Sequence, residues 1–267
     1  MQLVGYDLPI HAPAVRYREV VARIKAGDNE RGALVTTHKI DLFKASRDLF
    51  DGVDDLAELC SETSCLGKRD GLLWAFATDP IASGRALAEF HTGAMAGEVL
   101  CLGGGGSAVA ITLHLLQHRL VQRVTVVNRT AGRLEAMRAI HAKLGSDTEV
   151  RYVENSDPRT NDGLIADLPP GSLIINATGM GKDTPGSPIT DAAVFPEGGY
   201  AWELNYRGAL EFLHQARRQA ATRGLHVEDG WRYFIHGWAV VMERVFEIEV
   251  GPEKIARLAA VSEAERP

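Results

Sequence analysis

The segment Val99-Leu100-Cys101-Leu102-Gly103-Gly104-Gly105-Gly106-Ser107-Ala108 limits the folds open to this chain more than any other stretch. Four apolar residues read as a buried strand, four glycines follow, and helical periodicity runs from Ala108 to His118. Inside the glycines lies G-x-G-x-x-A, formed by Gly103, Gly105 and Ala108. Gly103 permits the tight turn, Gly105 lets the backbone approach a pyrophosphate, and Ala108 lets helix and strand pack closely. The amino end of the helix, at Gly106 and Ser107, then offers free N–H groups and partial positive charge to phosphates. The segment predicts a dinucleotide site.

The surrounding pattern supports a sheet built for that purpose. Apolar runs at Val99–Leu102, Val124–Val127, Val150–Val153, Leu173–Ile175 and Tyr200–Leu204 alternate with helical stretches over 108–118, 133–144 and 209–222. Such alternation implies parallel strands with right-handed crossovers, a Rossmann-type doubly wound sheet. Before it lies a mixed α/β part. A strand is expected near Leu3–Tyr6, helices over about 14–26, 41–49 and 54–60, and a strand at Gly32–Thr36. A hairpin is expected around Asp70-Gly71, then a helix opened by Pro80. A long apolar helix from Trp231 to Phe246 and a tail helix from Pro252 are expected to complete this first part. The fold class is therefore α/β, with a smaller α/β substrate domain (residues 1–82, completed by 231–267) and a dinucleotide-binding domain (83–230). Trp231, Tyr233, Phe234 and Trp238 read as core packing.

Of 267 residues, 45% are apolar and 24% charged, enough to build a core. The net charge of −6 comes without a basic block, so nucleic acid and anionic membrane are unexpected partners. No run approaches 18 apolar residues, and the start lacks the charged-then-apolar layout of a secretory signal. Cys60, Cys65 and Cys101 lack disulfide or metal spacing and read as buried thiols of a cytoplasmic protein. No metal is expected.

The second strand of the sheet bears on which dinucleotide is bound. It ends Asn128-Arg129-Thr130, with Arg133 one turn on. A carboxylate there would hold a ribose 2′-hydroxyl, whereas a neutral residue followed by guanidinium groups suits a 2′-phosphate. NADP is therefore expected in preference to NAD. The strand end Ile174-Ile175-Asn176-Ala177-Thr178-Gly179-Met180-Gly181 lies where the nicotinamide side of such a site is lined, with Asn176, Thr178 and Gly179 as candidates.

These three pieces, in this order, resemble the shikimate/quinate dehydrogenase family. Val35-Thr36-Thr37-His38-Lys39 resembles that family's V-T-x-P-x-K segment, and Thr78-Asp79 the end of its N-T-D motif. The resemblance covers nearly the whole chain. It implies reversible hydride transfer between NADP(H) and a ring hydroxyl, with Lys39 and Asp79 as the catalytic pair. Lys39 would take or give the hydroxyl proton once burial brings its pKa down toward the working pH. The resemblance also implies substrate contacts at Thr37, Ser64, Tyr206 and His236, and a monomer or homodimer.

The departures from the family pattern have chemical consequences. The S-x-S pair that binds the substrate carboxylate is not found; His11-Ala12-Pro13-Ala14 stands in its place, unless a short amino-terminal segment is absent. The proline before the lysine is His38, the asparagine of G-A-V-N-T is Ser64, and the asparagine before Thr78 is Ala77. The glutamine of the last helix falls at Gly237, beside His236. A pocket without these polar groups is not tuned to shikimate, so another hydroxy or keto substrate is expected. Two other readings stay open. One is oxidation of shikimate or quinate in a rearranged pocket. The other is a non-catalytic NADP-binding regulatory module, which needs Arg129 but neither Lys39 nor Asp79.

Overall fold

The computed structural model describes residues 2–9, 11–92 and 94–266. The chain forms two compact units. One holds everything up to Asp79 together with Gly237–Ala256; the other holds Pro80–His236 and the chain from Arg257 onward. All three changes of unit fall within helices, at Asp79/Pro80, His236/Gly237 and Ala256/Arg257. The sequence-based division had been drawn at residues 82/83 and 230/231, with the whole tail assigned to the first domain.

The first unit begins with α1 (Ala14–Ala26), β1 (Gly32–Leu34), α2 (Lys39–Ser46), β2 (Gly52–Val53), α3 (Asp55–Cys60), β3 (Cys65–Arg69) and β4 (Leu72–Phe76). Helix α1 buries Tyr17, Val21 and Ile24, spaced to fall on one face. They pack with Leu42, Phe43, Leu66 and Leu73. The expected hairpin is β3–β4. Asp70 and Gly71 both take positive φ, 50° and 78°, as the tight turn matching strand twist requires. Strand order is β1-β3-β4-β2.

The second unit takes most of α4 (Asp79–Phe90), then β5 (Val99–Leu102), α5 (Gly106–Gln117), β6 (Arg123–Asn128), α6 (Ala131–Ala142) and β7 (Glu149–Glu154). It continues with α7 (Pro158–Ala166), β8 (Leu173–Asn176), β9 (Tyr200–Glu203), α8 (Glu211–Arg223) and β10 (His226–Glu228). The last helices are α9 (Trp231–Phe246) and α10 (Pro252–Ser262). All six strands are parallel, in the order β10-β9-β8-β5-β6-β7. Order reverses between β5 and β8, the switch point outside which ligands bind in such sheets. Both faces are covered, by clusters around Ile111, Leu115 and Met137 on one side and Ile165, Phe195 and Phe212 on the other.

Three local expectations need correction. Leu3–Tyr6 forms no strand, because no neighbouring strand pairs with it; Leu3 is 82% exposed. Helix α7 was not anticipated, although Pro158 at its first turn and Asp157, which accepts from Arg159 N, are ordinary start signals. The short strands β2 and β10 carry too little pattern to read locally. Cys60, Cys65 and Cys101 are buried free thiols.

Candidate active site

The glycine loop has the geometry its sequence predicts. Gly103 has φ +119°, and a Cβ there would overlap the Ala177 backbone of the neighbouring strand end. Its N–H donates to Val127 O at 2.7 Å, while Ala177 N–H donates to Leu102 O at 2.7 Å. Gly105 is the N-cap of α5, and a Cβ there would meet nothing within 4 Å. The backbone is thus locked at Gly103 and open at Gly105, where a diphosphate would approach. Gly106 and Ser107 form the first turn of α5, and Ala108 is buried against the sheet.

At the end of β6, Asn128 Nδ2 donates to Thr130 O and Oγ1, both at 3.0 Å, which shapes the turn into α6. Arg129, Thr130 and Arg133 are exposed, and neither arginine has an ion-pair partner among the described residues. The cations are free to meet a phosphate. An acidic neighbour was missed from sequence: Glu154, opposite Asn128 in the strand register, accepts from Ala131 N at 3.2 Å. Its carboxylate occupies the amino end of α6, an anion-attracting place.

The loop after β8 rests on a buried carboxylate that sequence reading also missed. Glu203, at the end of β9, is fully buried. Its Oε2 accepts from Asn176 Nδ2 at 2.6 Å, and its Oε1 from Asn205 N at 2.8 Å and Asn205 Nδ2 at 2.7 Å. Asn176 Oδ1 then accepts from Thr178 N at 3.1 Å and Thr178 Oγ1 at 2.7 Å, and Asn205 Nδ2 donates to Met180 O at 3.0 Å. Thr178 and Gly179 present the loop's outer surface, Gly179 at φ +76°. Burial pushes the Glu203 carboxyl up to about 7, against the pull of those hydrogen bonds.

In the first unit, Lys39 opens α2 and Asp79 opens α4, and their side chains form an ion pair across 40 residues of sequence. Lys39 is 22% and Asp79 15% exposed, so the pair is largely desolvated yet reachable. A third group joins them. Glu62 is 5% exposed, and Thr63 N donates to Lys39 O at 3.2 Å, stitching this turn to the start of α2. Burial pushes Glu62 up to about 7, although Lys39 pulls it down; Asp79 adds to the rise. The expectation that burial lowers Lys39 is corrected. Desolvation does act that way, but attraction to Asp79 and Glu62 and the Asp79 hydrogen bond outweigh it, so its pKa is raised. Lys39 rests as an ammonium.

No family model matches the chain. A curated shikimate dehydrogenase (NADP(+)) from Xanthomonas oryzae is 30% identical over 247 residues, covering 89% of this chain and 76% of that protein. The chain belongs to the shikimate dehydrogenase family. Among solved structures, quinate dehydrogenase from Corynebacterium glutamicum in complex with NAD superposes with a TM-score of 0.74 at 21% identity, over 92% of this chain and 82% of that one. A 5-ketofructose reductase from Gluconobacter gives a TM-score of 0.69 at 20% identity, over 93% and 84%. These two likenesses establish a shared fold.

The four residues expected to contact substrate have different surroundings. Thr37 is exposed in the turn before α2. Ser64 has no exposed surface: Thr78 N donates to its Oγ at 2.7 Å, and the two hydroxyls share a hydrogen bond at 2.9 Å. Its hydroxyl fixes the backbone just ahead of Asp79. Tyr206 packs on Phe234 and Trp231, with ring centroids 4.7 and 5.7 Å away. His236 is buried, and its Nε2 is hydrogen-bonded to Glu89 Oε1 at 2.8 Å; Arg232 clamps the same carboxylate at 2.5 and 2.6 Å. Its Nδ1 has no hydrogen-bond partner. The histidines at two of the departures from the family pattern also have partners, His11 with Asp41 at 2.9 Å and His38 with the Tyr17 hydroxyl at 3.1 Å. Among the described residues, no cluster of His, Cys, Asp and Glu could hold a metal, and no helix is long and apolar enough to cross a membrane.

Proposed function

We propose that this protein reduces and oxidises a small hydroxy or keto compound other than shikimate, using Lys39 and Asp79 as the catalytic pair. Family membership makes it an oxidoreductase acting on CH–OH groups with NADP. The cofactor's phosphates fit the residues present: a cradle closed at Gly103 and open at Gly105, with Arg129 and Arg133 unpaired beside it. Gly106, Ser107 and Ala108 would supply the helix end, Asn128 and Thr130 would shape the 2′-phosphate site, and Asn176, Thr178 and Gly179 would line the nicotinamide. Bound there, the nicotinamide supplies the hydride donor or acceptor.

The observation that carries this reading is the buried Lys39–Asp79 ion pair. A non-catalytic NADP module has no need of it, and burying it costs desolvation. The ammonium is in the right state to give its proton to a carbonyl oxygen as that carbon receives hydride. Asp79 aims the ammonium and accepts from a substrate hydroxyl. In the reverse direction Lys39 must first lose its proton, which its raised pKa opposes, so alcohol oxidation is expected to speed up as pH rises. Loss of the S-x-S pair and of the family's asparagines argues for a changed substrate.

The test is calorimetric NADPH binding followed by NADP-linked turnover of a hydroxy/keto panel. Turnover that falls about 10²–10⁴-fold in K39A, with NADPH affinity kept, supports the pair. NADPH binding with K39A turning over like wild type would reject it. Shikimate oxidised at about 10⁴ M⁻¹s⁻¹ or better would return the protein to the family's usual substrate.

A further inference from the structure

Glu62 is an ionisable group beside the Lys39–Asp79 pair to which the proposed reaction assigns no work. Its main chain is fixed on both sides: Glu62 N donates to Ala57 O at 3.2 Å, and Thr63 N to Lys39 O at 3.2 Å. The residue is buried, its carboxyl oxygens are not among the fully enclosed unpartnered atoms, and none of the described residues donates a hydrogen bond to them. The charged groups facing it are Lys39 from α2 and Asp79 from α4. Lys39 in turn is faced by Asp79 and Glu62. The site therefore holds one cation and two carboxylates.

Two consequences follow from elementary electrostatics. A buried carboxyl without a donor costs free energy until something supplies one. The donor comes from outside the chain: water in the free enzyme, and a substrate hydroxyl when one is bound beside Lys39 and Asp79. A surplus of negative charge in a desolvated site also repels anions over several ångströms, since the effective dielectric there is far below that of water. Shikimate and quinate are carboxylates; neutral polyols and keto sugars are not.

We propose that Glu62 is a specificity-determining residue that accepts a hydrogen bond from an uncharged polyhydroxy or keto substrate and excludes carboxylate-bearing ones. The proposal rests on the dehydrogenase reading above and names the substrate class of that same site. Because Glu62 ionises around neutral pH, exclusion strengthens as pH rises from 6 to 8.

The experiment uses the full chain with NADP and a matched pair of ligands, shikimate and methyl shikimate, which differ in one charge. Myo-inositol and 5-ketofructose serve as further neutral probes. Calorimetry gives affinity for each ligand, and NADP-linked turnover is followed in parallel. NADPH binding is measured first, so that failure of the dehydrogenase reading shows separately. We expect the ester to be favoured over the acid by at least tenfold at pH 8 and by less at pH 6. E62Q keeps the side chain's shape and should erase most of that preference while leaving NADPH affinity unchanged. Equal or better binding of shikimate in the wild type overturns the proposal, as does an unaltered ratio in E62Q, or a lack of binding by every neutral probe.

Discussion

Asn176 donates a hydrogen bond of 2.6 Å to Glu203 where β8 and β9 end side by side. That contact links a residue recognisable in the sequence to one that is not. Glu203 accepts from three N–H groups, and two asparagines pass the order on to the loop at Thr178–Met180. Removing the carboxylate in E203A leaves those donors buried and unpaired, and should cost about 2–5 kcal/mol of stability by urea unfolding. E203Q keeps the volume but turns an amide N–H toward a donor. It should fold, yet raise the NADPH dissociation constant at least tenfold by loosening the loop. Tight binding by E203Q would show that the loop orders without it.

The two outer glycines of the cofactor motif should separate folding from binding. Ala at Gly103 must adopt φ +119° and overlap the Ala177 backbone, so G103A should lose several degrees or more of Tm. Ala at Gly105 meets no protein atom within 4 Å, and φ there is −85°. G105A should therefore melt like wild type while binding NADPH at least ten times more weakly, because the methyl group fills the space the diphosphate needs. Differential scanning calorimetry and titration calorimetry on the two variants distinguish these outcomes.

Choice between the two nicotinamide dinucleotides should turn on Arg129 and Glu154. R129A removes a free guanidinium and is expected to weaken NADPH about 10–100-fold while changing NADH affinity little. Glu154 holds the amino end of α6 through Ala131 N, and its charge opposes a 2′-phosphate nearby. E154Q should tighten NADPH binding by less than tenfold. Loss of NADPH affinity in E154Q would mean that capping of α6 matters more than charge.

Glu62 and Glu203 should each withdraw stability as pH rises through the mildly acidic range, against His114 and His141, which burial pushes down to about 4 and which act in the opposite sense. Glu62 and Glu203 are both raised to about 7, well above the ordinary carboxylate range. Between that range and pH 7 the folded state holds protons on these two carboxyls that the unfolded chain has released, so their contribution to stability shrinks with each pH step upward. Above about pH 7 both states are ionised and the slope flattens. E62Q lacks one of these groups; it should show a shallower fall and be more stable at pH 8 by up to about 3 kcal/mol. Urea unfolding from pH 4.5 to 8 measures the slope, and a slope that E62Q leaves unchanged would remove Glu62 as a contributor.

The glycine loop, the alternation of strands and helices, and the Asn128-Arg129-Thr130 run were legible because each depends on local conformation or on period. A glycine with positive φ, a strand of four apolar residues and a helix start are properties of neighbours in the chain. Burial and charge partnership are not. Glu62 and Glu203 look in sequence like ordinary surface acids, and only the packed structure removes them from water and sets their ionisation. Lys39 shows the same division. Its place beside a strand end was readable, but the direction of its pKa shift depends on two carboxylates that the fold brings from 23 and 40 residues away. The partners of Ser64 and His236 were equally invisible in the sequence: Thr78 shares a hydrogen bond with the Ser64 hydroxyl, and Glu89 holds His236 Nε2. The sequence by itself determined the scaffold and the cofactor cradle, because short-range backbone geometry specifies both. The tertiary structure alone decided the charge balance around Lys39 and Asp79, because electrostatic energy depends on distance through space and on exclusion of water.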